Sequence, residues 1–126
     1  MASSPNNKAE YDLEERTFLF AKEVRLFVKT LPKTVGNIED VKQVIRSSGS
    51  VGANYIEANE ALGKKDFLMR LRISRKEAKE TVYWLRLINE TNDLGDSECP
   101  NLIQEATELK KILSAIIDKS QKAISK

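Results

Sequence analysis

The sequence predicts an all-α fold: a single domain built as an antiparallel, up-down-up-down four-helix bundle. Three observations lead there. Apolar residues recur at spacings of three and four along four separate segments, the period of an amphipathic helix. Helix-stopping or helix-capping residues fall between those segments. The 126 residues contain only five Gly and three Pro, too few for a turn-rich β architecture. The length suits one core and no second. Residues 1–9 read as a frayed, disordered N-terminal tail, and residues 10–126 as the bundle domain.

The first helix carries a stripe of Leu13, Thr17, Phe20, Val24, Phe27 and Leu31 and stops at Pro32. Asp12 and Glu15 have the spacing of a capping box. The second helix opens at Asn37 as cap, runs Ile38, Val41, Ile45, Ser48, Gly52 and Ile56 along one face, and ends at Gly63. The third spans about Lys65 to Asn92, with Phe67, Leu71, Ser74, Ala78, Val82 and Leu85 on its apolar face. Trp84 at the edge of that face reads as an anchor for the bundle or an interface. The fourth begins near Cys99, because Pro100 is tolerated in a first turn. Its stripe is Leu102, Ala106, Leu109, Leu113, Ile116 and Ile117, Ser120 and Ile124.

Composition narrows the function. There is no His, which removes the commonest acid–base catalyst and metal ligand. The one Cys precludes an intrachain disulfide or a Cys-rich zinc site. Cys99 sits at a predicted helix N-terminus, where a thiol pKa can fall, but it has no His to activate it. No nucleophile–base pair and no acid–base carboxylate pair stands out. The expectation is a protein that is not an enzyme and takes no cofactor or metal. No apolar run reaches the length of a transmembrane helix, and Met1 to Lys8 lacks the apolar core of a secretory signal, so the expected compartment is the cytoplasm.

The run Arg46-Ser-Ser-Gly-Ser-Val-Gly-Ala-Asn54 is a poor helix former, yet Ile45, Gly52 and Ile56 keep helical register across it. Small residues here permit close helix–helix approach. A phosphate-cradling loop would need a Gly-Lys-Ser/Thr signature and a preceding strand, and both are missing. Some apolar residues exceed a single stripe: Phe18, Leu19 and Leu26 on the first helix, and Val44, Val51, Tyr55 and Leu62 on the second. Surplus apolar surface on a small domain points to self-association. Arg46, Ser50, Asn54 and Glu57 share the face opposite the second helix's stripe, as a solvated ladder or a polar seam at a subunit boundary.

Arg46-xxx-Ser50-Val51-xx-Asn54-xx-Glu57, followed by Asp66-Phe67, Leu71, Glu80 and Leu85, resembles the characteristic pattern of the 23S-rRNA intervening-sequence proteins, also called the four helix bundle protein family. The likeness covers roughly residues 13–120. Ile56, Ala58, Ser74 and Glu77 stand where that family more often has Ala, Gly, Ala and Ser. The resemblance implies a bacterial four-helix bundle that assembles as a ring-like homopentamer. It also implies kinship with the accessory protein of diversity-generating retroelements, which binds nucleic acid and a reverse transcriptase. Arg46, Ser50, Asn54, Glu57 and Glu80 are then the family motif, placed at a subunit seam.

The net charge of +2 is uneven. Lys64 to Asn92 holds eight basic side chains against four acidic ones, a local excess of +4, which leaves −2 for the rest. Arg72, Lys76, Lys79, Tyr83 and Arg86 recur every three or four residues, with Arg75 flanking. A basic stripe enclosing an aromatic suits contact with a nucleic-acid backbone, with Tyr83 free to stack on a base. The expectation is a homo-oligomer, a pentamer on the resemblance alone, that binds RNA or DNA as an accessory factor. The alternative is a protein-interaction scaffold whose stripe meets an acidic partner, such as a reverse transcriptase, with no nucleic-acid role.

Overall fold

Four helices account for most of the chain: α1 (Pro5–Val28), α2 (Val35–Asn59), α3 (Lys64–Thr91) and α4 (Cys99–Ser125). The computed structural model describes residues 5–125, with side chains from Leu13 to Ala123. No strand occurs among the described residues. Each helix packs on the next and α4 returns to α1, while the diagonal pairs do not meet. Short connections between packed neighbours reverse the chain each time, giving the expected four-cornered antiparallel bundle.

The ends differ from expectation in instructive ways. α1 starts at Pro5, so residues 5–9, assigned to the tail from sequence, have helical backbone, and residues 1–4 lie outside the described residues. Proline is at home in a first turn. No Gly or Pro interrupts the helix between there and Asp12, so Asp12 lies within the helix and does not cap it. Thr34, not Asn37, caps α2: its Oγ1 accepts from the Asn37 backbone N–H at 3.2 Å. Asn37 is buried and does something else. Its amide donates to the Pro32 carbonyl at 2.9 Å and exchanges reciprocal 2.8 Å hydrogen bonds with Asn92 at the end of α3. This amide pair fastens the α1–α2 turn to the far end of α3. α2 stops at Asn59, and Gly63 is the extended residue before α3, its carbonyl accepting from Phe67. Gly95, at φ +57°, supplies the left-handed step that turns the chain toward α4.

The core uses the stripes expected for α1 and α4, Ile124 lying outside the described side chains, and part of that expected for α3: Phe67 and Val82 are half-buried, whereas Leu68, Glu77, Thr81 and Ile88 are buried outside the stripe. Leu13, Phe20, Val24 and Phe27 of α1, Leu71, Leu85 and Ile88 of α3, and Leu102, Leu109, Leu113 and Ile117 of α4 belong to one buried cluster. Helix α2 is rotated relative to its expected face. Val44, Val51 and Tyr55, read from sequence as surplus surface, are buried, whereas Ile38 and Ile56 are 44% and 46% exposed. α2 contacts both α1 and α3, so its buried arc is broad and centred between them. Part of that arc is made of Ser47, Ser48 and Ala58, which hydropathy alone ranks below isoleucine.

With those small residues, α2 and α3 form the most extensive contact in the bundle. The Ser74 hydroxyl donates to the Val51 carbonyl at 2.6 Å, and the Ser47 and Thr81 hydroxyls lie 2.8 Å apart. No buried side-chain polar atom among the described residues lacks a partner. The helix runs unbroken through Ser47–Gly52. Gly52 faces α1 so closely that a Cβ there would lie 2.8 Å from Thr17 Oγ1 and 3.0 Å from Thr17 Cβ. Thr17 is itself buried. Gly52→Ala is therefore expected to destabilise by about 1–3 kcal/mol through overpacking, despite alanine's better helix propensity. Thr17→Ala removes the crowded hydroxyl, the nearest atom, and should recover part of that loss. A denaturation midpoint for Gly52→Ala at or above that of the parent would show that α1 and α2 separate freely here.

Candidate nucleic-acid interface

An α-helix turns 100° per residue, so Arg72, Arg75, Lys76, Lys79, Tyr83 and Arg86 fall within an arc of roughly 100° on α3 and along roughly 20 Å of its length. The structure gives this arc to solvent. Arg72, Lys76, Lys79 and Arg86 are exposed, Arg75 is half-buried, and Tyr83 is 56% exposed. The opposite face of α3 explains why: Leu71, Ser74, Ala78, Leu85 and Ile88 are fully buried and fix the helix's rotation. Arg86 reaches Glu90 one turn on at 3.5 Å, with both side chains about two-thirds exposed. Arg72, Arg75, Lys76 and Lys79 form no ion pair among the described residues. Four cations thus stand along one helix face without local compensation.

Tyr83 packs edge-on against Trp84, with ring centroids 5.0 Å apart and planes at 79°. Trp84 is half-buried against the core, and its Nε1 donates to Glu80 Oε2 at 3.0 Å. One ring is held by the bundle and carries the second outward. Such a ring is a stacking platform with little conformational freedom to lose.

The sequence places Arg46, Ser50, Asn54 and Glu57 in one polar ladder on α2, with Glu80 of α3 joining them only as part of the family motif. The structure separates them. Arg46 crosses from α2 to α3, where Nη1 meets Glu77 Oε2 at 3.1 Å and Nη2 pairs with Glu80. Burial works against the Arg46 charge, but the attraction of Glu77 and Glu80 outweighs it and holds the guanidinium pKa above its ordinary value. Asn54 donates to the Ser50 carbonyl and hydroxyl one turn back, at 3.0 and 2.9 Å, and accepts from Arg70 Nη1 at 3.3 Å. Glu57 is exposed. Arg46 and Asn54 are therefore engaged within the chain, across the α2–α3 interface. Sequence reasoning missed Glu77, a buried carboxylate at 7% exposure. The available signal was its i, i+3 spacing to Glu80 on the helix that Arg46 faces.

Cys99 does stand at a helix N-terminus, but its thiol is not activated there. It is fully buried at the start of α4, its thiol donates to the Leu85 carbonyl at 3.4 Å, and burial pushes its pKa up to about 11. Desolvation of the thiolate overrides the helix-terminus effect that the sequence suggested. No group of three or more His, Cys, Asp and Glu side chains placed to hold a metal ion occurs among the described residues. No helix among them is long and apolar enough to cross a membrane.

Residues 9–115 match the family model described as 23S rRNA-intervening sequence protein. The chain is also similar to a crystal structure from Bacteroides thetaiotaomicron, described as a protein with unknown function from the S23 ribosomal protein family. The two are 32% identical, with 86% of this chain and 97% of that chain covered and a TM-score of 0.75. No protein of curated function matches.

Proposed function

The chain belongs to the 23S rRNA-intervening sequence protein family, and from that membership we propose that it is a non-enzymatic, homo-oligomeric accessory factor that grips the backbone of RNA or DNA through α3. The observation that carries this reading is the stripe of exposed Arg72, Lys76 and Lys79 with half-buried Arg75, unpaired within the described residues and flanked by the outward ring of Tyr83. Phosphate contacts from such side chains position a nucleic acid without reading its sequence. Self-association is supported by the apolar side chains α1 leaves on the outside: Phe18, Leu19 and Leu26 are 62%, 44% and 46% exposed. Several copies of the stripe in one assembly would convert weak individual contacts into strong overall binding. The number five rests on the family resemblance alone.

The test is a fluorescence-anisotropy titration of the assembled protein with a labelled single-stranded RNA and a DNA duplex, repeated across a salt series. Log affinity should fall linearly with log salt concentration, at about 0.7 per phosphate contact on single strands and about 0.9 on duplex. Scrambling the nucleic-acid sequence should change the affinity little. Binding that is absent at low salt removes the nucleic-acid role and leaves the stripe as a docking face for an acidic protein.

A further inference from the structure

The least closely packed neighbouring helices are α1 and α4. Between them lies an open groove of about 540 Å³. Leu19, Phe20 and Leu102 supply its apolar floor, and Glu15, Glu23, Glu98 and Glu105 stand around it. The one cation of the groove, Arg16, is held by both oxygens of Glu105, at 2.7 and 2.8 Å, and is not free to neutralise the others. An apolar recess with a carboxylate rim is unexpected on a chain of net charge +2.

The corner where α1 turns into α2 has the inverse character. Pro32, Val35 and Ile38 are exposed, Val35 by 84%, beside a smaller recess of about 310 Å³ bordered by Lys29, Lys33 and Lys42. Lys42 meets Glu39 at 3.5 Å, whereas Lys29 and Lys33 have no ion pair among the described residues. One molecule thus carries an apolar groove edged by glutamates and an exposed apolar corner edged by lysines. The groove is lined by α1 and α4 and the corner by α1 and α2, so one rigid copy cannot bring its own two surfaces together.

We infer that the α1–α4 groove of one copy receives the lysine-edged α1–α2 corner of a second copy. Two different surfaces then meet in a heterologous, head-to-tail contact, which closes as a ring or extends as a filament according to its rotation. The apolar residues supply the contact area, and the opposed rims select register and partner. The contact leaves the α3 stripe uncovered. The inference rests on the homo-oligomeric reading above and assigns its interface.

A charge exchange tests it, with light scattering on the full chain at micromolar concentration and circular dichroism to verify folding. Glu15, Glu23, Lys29 and Lys33 are all exposed, so their substitution spares the core. Glu15→Lys with Glu23→Lys, and separately Lys29→Glu with Lys33→Glu, should each reduce the assembly toward monomer, weakening association at least 100-fold. The four changes together should restore the parental mass. If both pairs break assembly and the combination fails to restore it, the two surfaces do not face each other, and the inference is overturned. It is equally overturned if the parent is an oligomer that ignores both changes, although the homo-oligomeric reading then survives. A monomeric parent defeats both.

Discussion

Arg46→Met should cost about 2 kcal/mol of stability, measured as a lowered midpoint of chemical denaturation with unchanged slope. The residue's own packing is not the source. Arg46 is half-exposed, and an exposed ion pair alone contributes little. The cost arises at Glu77, whose side chain is only 9% exposed and whose carboxylate depends on Nη1 of Arg46. Removing one partner of a buried pair strands the other, at 3–5 kcal/mol when both are buried. The exposure of Arg46 lets water replace part of what is lost, which brings the figure down to about 2 kcal/mol. Glu80 is less affected, because Trp84 Nε1 still donates to it. Glu77→Gln in the Arg46→Met background should therefore return at least half of the loss, since the stranded charge is gone. Additive costs from the two changes would mean that Glu77 finds solvent without Arg46. Breaking the exposed pair of Lys42 and Glu39 should change the midpoint within error.

The contrast between those two ion pairs marks where the sequence was legible. A spacing of three and four places every helix and locates the α1 and α4 faces, where large apolar side chains dominate, and locates the α3 face less sharply, since Ser74, Glu77, Ala78 and Thr81 share its burial. Helix α2 defeats the same rule. Its buried arc includes Ser47, Ser48 and Ala58, whose small size admits a close neighbour, while Ile38 and Ile56 remain outside. Hydropathy ranks side chains by transfer energy, whereas a tight helix pair is selected by volume. The Asn37–Asn92 amide pair and the Arg46–Glu77 bridge were invisible for another reason. Each joins residues on different helices, 55 and 31 positions apart, and depends on how the helices rotate against one another. The α3 stripe was legible because it needs only one helix: the periodicity that buries Leu71, Ala78 and Leu85 must turn Arg72, Lys76, Lys79 and Tyr83 outward. The acidic groove was not, since its carboxylates come from both ends of the sequence and meet only after α4 has returned to α1.

Arg72→Glu combined with Lys79→Glu should abolish nucleic-acid binding while leaving helicity and assembly size unchanged. The two residues are seven apart, two turns along α3, and both are exposed, so reversal alters the surface potential without disturbing the core. Each reversal removes one cation and adds one anion, a swing of four charges per subunit in a segment whose whole excess is +4. The neutral pair, Arg72→Gln with Lys79→Gln, should bind more weakly than the parent, with a log–log salt slope shallower by about 1.4–1.8, the value for two lost phosphate contacts. Tyr83→Ala should weaken binding to single strands by about 1–3 kcal/mol, the worth of one stacked base, and leave duplex binding nearly unchanged. Lys110→Glu with Lys111→Glu is the control of equal charge. Lys110 is half-buried and Lys111 lies 3.9 Å from Glu108, on a helix with no comparable basic row, so this pair should reduce affinity far less. If the two double reversals weaken binding equally, only net charge matters and α3 has no special part. If reversal at Arg72 and Lys79 dissociates the assembly instead, the stripe is a subunit contact, and the nucleic-acid role loses the feature on which it stands.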